Sequence, residues 1–450
     1  MKFLKTFLLL FIVVPAMAQT TIKQDAAIRQ MVDEVSSKNI EAIIRKLVSF
    51  KSRHTLGDTT SATTGVGAAR NWIKSEYERY AAESHGRMTV QFDTSTQPKS
   101  ERVNTPVKLK NVLAVLKGAD PKDTRIYIVS GHYDSRRSDV LSPTGDEPGA
   151  NDDASGTAVS MELARVMAKR QFPATIIFMA VVGEEQGMYG SGHVAKRAKA
   201  ENWNIDAVLN NDIVGNTHSL DNDLKDNTHV RVFSEGVPTV AADNQRQIAS
   251  LISLGGENDS PSRELARYIK ETAERYVDQL DVKLIYRRDR YLRGGDHIPF
   301  LQQGFDAVRI TEMNEDFTRQ HQDIRTENGI SYGDLPDYVD FNYVQKVARM
   351  NLSVLANLAS APAEPQSVGI ITSGLTNSTE LKWEAPKEGK KPAGYYVLMR
   401  ETVSPYWEKK FFVTETHATL DYSKDNYLFA VQSVDAEGHE SLPVVPKPAR

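Results

Sequence analysis

An α/β fold, with a mixed and mostly parallel central sheet flanked by helices and a small all-β immunoglobulin-like sandwich behind it, is what this sequence predicts. Three observations carry that prediction. Short apolar runs alternate with stretches in helical period along most of the chain. Several of those runs are apolar throughout, as strands covered on both faces are. Near residue 360 the pattern gives way, through a Pro/Ala-rich stretch, to short alternating strands.

Taken in order, residues 1–18, "MKFLKTFLLLFIVVPAMA", join two lysines, an apolar run and an Ala-Met-Ala end. That is the layout of a signal peptide cut after Ala18, and the run is too short to span a bilayer comfortably. The chain from residue 19 is therefore expected outside the cytosol, periplasmic or extracellular, with no membrane span. Ile40, Ile43, Ile44, Leu47 and Val48 fall at helical spacing, and residues 65–82 read as a second amphipathic helix. Strands follow around 88–92, at 110–118 and at 125–135, then a helix over 157–169. The apolar run "ATIIFMAVVG" at 174–183, a helix from about residue 190 and the strand "IDAVLNNDIVG" at 205–215 come next. Residues 216–260 are polar and uneven and read as loops near a pocket mouth. A helix near 262–280, the strand "VKLIYR", a short helix from His297, the strand "AVRITE" and a helix over 341–358 complete a first domain spanning 19–360. The stretch "ASAPAEPQS" supplies a linker at 361–367. Beyond it, "TELKWEAP", "GYYVLMR", "FFVTET" and "NYLFAVQSVDAEGHES" are strand-like, and Tyr427, Phe429 and Val431 share one face. This tail, 368–450, resembles a fibronectin type III module with Trp383 as its core tryptophan. It reads as a structural or spacing domain, with a carbohydrate- or protein-binding role as the alternative.

Composition bounds the chemistry. The chain is 40% apolar and 25% charged, as an ordinary globular protein is. Its net charge of −4 and the lack of a long basic stripe argue against a nucleic-acid partner. It has no cysteine, so neither disulfides nor thiolate metal sites are available, and any metal must use imidazoles and carboxylates.

Those groups gather at strand ends, where open α/β sheets place their sites. His132 and Asp134 follow "IYIVSG", Asp152 lies in the loop before a helix, Glu184 and Glu185 end "TIIFMAVVG", and Asp212 ends "DAVLN". His321 comes a few residues beyond "AVRITE". One such residue is most simply a helix cap or a solvated charge, but acids converging from successive strand ends repel unless a cation neutralises them. Carboxylates mixed with imidazoles suit zinc, with manganese or cobalt behind it. Three carboxylates and two imidazoles around two divalent ions leave a single positive charge, which one hydroxide cancels. Such a pair generates hydroxide near neutral pH and clamps an oxyanion. "GEEQG" offers a ligand and, beside it, a spare carboxylate to shuttle protons.

The motifs "SGHYDS", "GANDDASGTA", "VVGEEQGMYGS", "NNDIVG", "GGDHIPF" and the late "HQD" come in the order seen in co-catalytic di-zinc aminopeptidases. Residues 40–360 thus resemble the secreted, bacterial leucyl-aminopeptidase-like zinc exopeptidases. The resemblance implies two zinc ions per chain, peptide substrates, and a zinc-bound hydroxide as nucleophile. It implies that His132 and Asp212 hold one zinc, Glu185 and His321 the other, and that Asp152 bridges them. It makes Glu184 the general base, and has Asp134 fix the ring of His132. The peptide bond after the bridging acid is often cis in this family. Asp153 is expected to brace the loop. The fit is looser elsewhere. Gly295 stands before Asp296 and His297 where the family often has serine, so Asp296 supports the site rather than binding metal. Gln320 stands where some relatives carry an oxyanion-stabilising tyrosine, and Tyr291 is the candidate substitute. Glu312 and Glu315 are candidate acceptors for a substrate's free amine, with ordinary loop charges the alternative.

Rival readings have their own signals. A zinc carboxypeptidase or dipeptidase on the same scaffold needs a cationic clamp, and Arg287, Arg288, Arg290 and Arg293 lie close together in sequence. A glutaminyl cyclase works with a single zinc, whereas the ligands for a second are present here. A non-catalytic binding protein is disfavoured by the intact ligand set with Glu184. His54, His85, His193, His218 and His229 read as surface residues, and "DNDLKDN" at 221–227 as a solvated loop.

Overall fold

The computed structural model describes residue 22, residues 24–241 and residues 244–450; the leader expected at 1–18 lies outside them. The main sheet has eight strands: β1 (Met88–Gln97), β2 (Val107–Leu116), β3 (Arg125–His132), β4 (Thr175–Val181), β5 (Asn204–Asn211), β6 (His229–Ser234), β7 (Asp281–Ile285) and β8 (Ala307–Glu312). Their order is β1-β2-β4-β3-β5-β8-β6-β7. The four central strands β4, β3, β5 and β8 run parallel, so their carboxyl ends share one edge. β1, β2 and the β8–β6 pair are antiparallel. The sheet is mixed and mostly parallel at its centre, as the apolar runs predict.

Period-two patterning divides the core. Ile176, Phe178 and Ala180 of β4 join a large cluster with the helices α1 (Ala26–Glu34), α2 (Ser37–Ser49), α3 (Gly65–Ala82), α4 (Ala154–Met167), α7 (Pro261–Tyr276) and α9 (Phe341–Ser360). Ile177, Met179 and Val181 face the other way, onto α5 (Tyr189–Ala200) and α8 (His297–Gln302). α4 lies almost entirely buried beneath the sheet, capped by the Asp153 carboxylate, which accepts from Gly156 N. Its first turn wedges against the ends of β3 and β5. A side chain on Gly131 would strike the Gly156 and Thr157 backbone, and one on Gly156 would strike the Asn211 carbonyl.

Residues 216–260 are not all loop. "HVRVFS" forms β6 inside the main sheet, where Arg231 is satisfied by the Glu312 carbonyl and the Glu315 carboxylate. Polar flanks hide its alternation in the sequence. Residues Gln245–Leu254 form α6, a surface helix, and the 221–227 stretch contributes to a two-stranded ribbon.

Beyond α9 stands a sandwich. Strands β9 (Gln366–Ile371), β10 (Thr379–Glu384), β13 (His417–Leu420) and β15 (Lys447–Ala449) form one sheet; β11 (Gly394–Glu401), β12 (Lys409–Val413) and β14 (Tyr427–Val434) form the other. Trp383 packs edge-on against Tyr395 at 5.3 Å in the core between them, with Val397, Phe429 and Val431. The second face of the three-stranded sheet, which carries Tyr396, Leu398, Ala430 and Val434, is buried too. Trp407 donates to Glu264 on α7, Tyr268 to the Glu440 carbonyl, and Arg275 pairs with the Glu440 carboxylate at 3.0 Å. The sandwich therefore sits on α7, which explains why both faces of β14 are short of polar residues. Among the described residues no helix is long and apolar enough to cross a membrane.

Candidate metal centre

The shared carboxyl edge brings five donors together. His132 ends β3, Asp212 follows β5, Glu185 follows β4, Asp152 lies in the turn into α4, and His321 lies beyond β8. They form two trios, His132–Asp152–Asp212 and Asp152–Glu185–His321, with the donor atoms of each trio within 4.8 Å of one another. Asp152 belongs to both. Its Oδ1 is 3.1 Å from His132 Nε2 and its Oδ2 is 2.9 Å from His321 Nε2. His321 Nε2 is also 3.1 Å from Glu185 Oε2, and His132 Nε2 is 3.9 Å from Asp212 Oδ1. The peptide bond between Asp152 and Asp153 is cis.

The donors fit divalent cations. His132 Nδ1 faces the Asp134 carbonyl at 3.0 Å, which puts its proton there and leaves Nε2 as a bare donor. Buried His132 Nε2 and Glu185 Oε1 make no hydrogen bond among the described residues. Burial opposes charge on His132, yet Asp134 and Asp152 raise its pKa well above the ordinary imidazole value. Burial likewise opposes charge on His321, but Glu185 and Asp152 push it up to about 10. A cluster that draws protons onto both imidazoles is short of positive charge, and cations supply it. Glu184 lies beside the trios, its Oε2 4.0 Å from His132 Nε2, and burial lifts its carboxyl well above the usual range.

Loops from distant parts of the chain hold this arrangement. Asp153 accepts from His132 N at 2.9 Å and Ile213 N at 3.2 Å, tying the ends of β3 and β5 to the start of α4. Asp334 accepts from the backbone of Asn151 at 2.9 Å and Asp152 at 2.7 Å. Asp134 orients His132 through its carbonyl rather than its carboxylate, whose Oδ1 stands 3.6 Å from the ring and whose Oδ2 accepts from Thr55. Arg309, fully buried on β8, pairs with Asp212 at 2.9 Å. Ile213 and His321 both carry positive φ, 62° and 55°. For a β-branched residue that is a real outlier, of the kind that clusters at functional sites. Sequence reasoning missed Asp334, Thr55 and Arg309; the one local hint was a lone arginine inside the apolar run "AVRITE".

Other expected residues stand elsewhere. Asp296 sits behind the cluster, bonded by the Ser191 hydroxyl, and burial lifts its pKa to about 7. Tyr291 is not brought to the site. Its residue is 78% exposed and its hydroxyl accepts from Arg287, because the loop turns it to solvent. Glu312 and Glu315 do not line the main cleft. Glu312 accepts from Asn151, Gly215 and Asn216 and so knits two loops. Glu315 is taken by Arg231, Arg290 and Arg293, and although burial opposes it, Arg290 leads these and Arg309 in holding its pKa near 2. Both face a side cavity of about 10 Å³, at the lower limit for one water and far too small for a peptide terminus. His54 is buried rather than on the surface, with its ring against the Val140 carbonyl. Of the arginine run, Arg290 and Arg293 reach the cleft, while Arg287 stacks on Tyr291 and Arg288 reaches Thr239. Gln320, in contrast, is at the centre, its Nε2 3.1 Å from Asp152 Oδ2.

Similarity to known proteins extends over most of the chain. The model of peptidase family M28 matches residues 111–353. A probable zinc metalloprotease of Pyrenophora teres f. teres is 48% identical over 426 residues, covering 94% of this chain and 88% of its own. One of Leptosphaeria maculans is 48% identical over 422 residues, covering 94% and 97%. Among solved structures, the LapA aminopeptidase of Legionella pneumophila superposes with a TM-score of 0.53 at 20% identity, over 80% of each chain. A leucine aminopeptidase precursor of Bacteroides thetaiotaomicron does so at 0.51 and 16%, over 72% of this chain and 97% of its own. These last two likenesses concern the fold.

Proposed function

The chain belongs to peptidase family M28, and from that premise we propose that it is an exported, zinc-dependent aminopeptidase removing N-terminal residues from peptides. The observation that supports the reading best is the pair of donor trios sharing Asp152, with the Glu184 carboxylate beside them and outside both. Zinc ions, when held by His132, Asp152 and Asp212 and by Asp152, Glu185 and His321, supply Lewis acidity that lowers the pKa of water and polarises a carbonyl.

The chain's own groups do the rest. Glu184 takes the proton that the attacking water loses and returns it to the nitrogen of the leaving amine. Its buried, raised carboxyl favours holding that proton between the two events. Gln320, with its side-chain amide against Asp152, is the neutral donor for charge developing on the carbonyl oxygen, the role that exposed Tyr291 does not reach. The six motifs in family order support exopeptidase chemistry, and the sequence of residues 1–18 supports export. In this reading the C-terminal sandwich is a fibronectin type III-like module docked on α7 as a structural part.

A second reading, carboxypeptidase or dipeptidase on the same scaffold, draws on Arg290 and Arg293 in the cleft wall. One experiment separates them. The protein is incubated with a peptide blocked at its N-terminus and with the same peptide blocked at its C-terminus, with zinc counted on the same sample. Cleavage of only the N-blocked peptide sinks the aminopeptidase reading. Glu184→Gln is expected to lower kcat by about 10³-fold while two zinc ions stay bound; near-full activity in that variant removes Glu184 as the base.

A further inference from the structure

The cleft over the donor cluster, about 590 Å³, has a charge pattern that peptide hydrolysis alone does not require. Its acids are Asp152, Glu184, Glu185 and Asp212, all on the floor within or beside the donor trios. The cationic side chains on its walls are arginines: Arg102 and Arg136 on the Glu185–His321 side, Arg290 and Arg293 on the other. They are only partly neutralised. Arg290 and Arg293 share one oxygen of Glu315 at 2.9 Å each while Arg231 takes the other, so three guanidiniums divide a single carboxylate, and Asp289 meets Arg290 alone among them. Arg102 is exposed and donates, at 3.3 Å, to the Glu185 backbone carbonyl rather than to a carboxylate.

Arg136 adds to the excess. Its guanidinium donates to Glu185 Oε2 at 3.0 Å and stands 2.7 Å from His321 Nδ1. The carboxylate it meets, Glu185, is itself a member of a donor trio. Cations held by the floor carboxylates would leave the walls positive. Low-dielectric clefts lined by one sign of charge concentrate the opposite sign, and the arginine fork matches a carboxylate in a bidentate way.

We infer that this cleft recognises a carboxylate on its substrate, in addition to the peptide bond; the inference rests on the peptidase reading of the same site. Two sources carry that group: an acidic side chain flanking the scissile bond, or the C-terminus of a peptide short enough for its own α-carboxylate to reach the arginines. Peptides with basic residues in those positions are disfavoured by the same walls.

The test is equilibrium binding to the zinc-loaded, full-length Glu184→Gln protein, measured by calorimetry with matched peptide pairs. Leu-Gly-Gly against its C-terminal amide reads the chain terminus. Leu-Glu-Gly-amide against Leu-Gln-Gly-amide, and Glu-Gly-Gly-amide against Gln-Gly-Gly-amide, read the two flanking side chains. In at least one pair the carboxylate form is expected to bind about tenfold or more tightly. That ratio is expected to shrink in Arg293→Gln or Arg102→Gln, and at about 0.5 M salt. All three pairs binding within about twofold, or a preference that survives in both arginine variants, overturns the inference. Turnover of the same peptides by the unsubstituted protein is scored separately. A carboxylate preference without cleavage removes the peptidase reading and leaves the binding inference standing; cleavage without preference does the reverse.

Discussion

Replacing Arg53 by methionine is predicted to damage the metal centre from a distance. Arg53 is fully buried, and its guanidinium donates to the backbone carbonyls of Tyr133 at 2.7 Å, Pro148 at 2.5 Å and Gly149 at 2.9 Å, with Leu47 farther away at 3.3 Å. Methionine keeps much of the stem's volume but leaves the buried carbonyls of Tyr133 and Pro148 unpaired, at about 1–2 kcal/mol each, while Gly149 O keeps Ala154 N at 3.1 Å. The total, about 2–4 kcal/mol, is a sizeable part of the stability of an ordinary domain. The same bonds tie the chain beside His132 to the segment just ahead of Asp152, so zinc affinity is expected to fall by about 10–100-fold as well. Urea unfolding of the chelated protein, followed by tryptophan fluorescence, reads the first effect, and zinc titration against a competing chelator reads the second. Arg53→Lys, whose ammonium reaches fewer of these carbonyls, should fall between. A methionine variant within about 1 kcal/mol of the parent, with unchanged zinc affinity, would refute the cross-tie.

Two further predictions concern charge. Burial pushes the Glu440 pKa up, but Lys410 and Arg275 hold it down at about 2, below its ordinary 4.5. A depressed carboxylate stabilises the fold above its unfolded pKa and loses that contribution as pH falls through the folded one, so docking of the sandwich on α7 should weaken between about pH 4.5 and 2, by roughly 3 kcal/mol. Glu440→Gln should be less stable at neutral pH and flatter across that window in thermal melts; an equally steep acid loss would assign it to other groups. Arg309→Met strips buried Asp212 of its 2.9 Å partner and is expected to cost about 3–5 kcal/mol in the metal-free protein. Zinc then compensates Asp212, so the zinc-induced rise in Tm should be larger in this variant than in the parent. An equal or smaller rise would show that Arg309 does not balance that carboxylate.

Much of this site is legible along the chain because its donors sit at strand ends. An apolar run followed by Gly-His, Glu-Glu or Asn-Asp is a local signal, and parallel strands deliver such ends to one edge. Where signals are not local, reading fails in identifiable ways. β6 hides between polar stretches, since the partners of Arg231 come from the neighbouring strand β8 and the loop after it, far along the chain. Tyr291 and His54 exchange expected places, one turned to solvent and the other buried, because loop trajectory and not residue type decides exposure. Glu315 looks like a free acceptor until the arginines folded around it are counted.

The sequence by itself determined which chemical groups are present, that none is a thiol, and that a run of strand and helix periods carries them to a common edge before a separate β unit begins. Only the tertiary structure decided that Asp152 offers one oxygen to each imidazole, that Arg53, Asp334 and Arg309 brace the cluster, and that Arg102 and Arg136 face Arg290 and Arg293 across one cleft. The reason is the range of the forces involved. Periodicity and strand ends follow from steric and solvation preferences of neighbouring residues, whereas the meeting of side chains up to about two hundred positions apart follows from how the sheet twists and the loops pack across its edge.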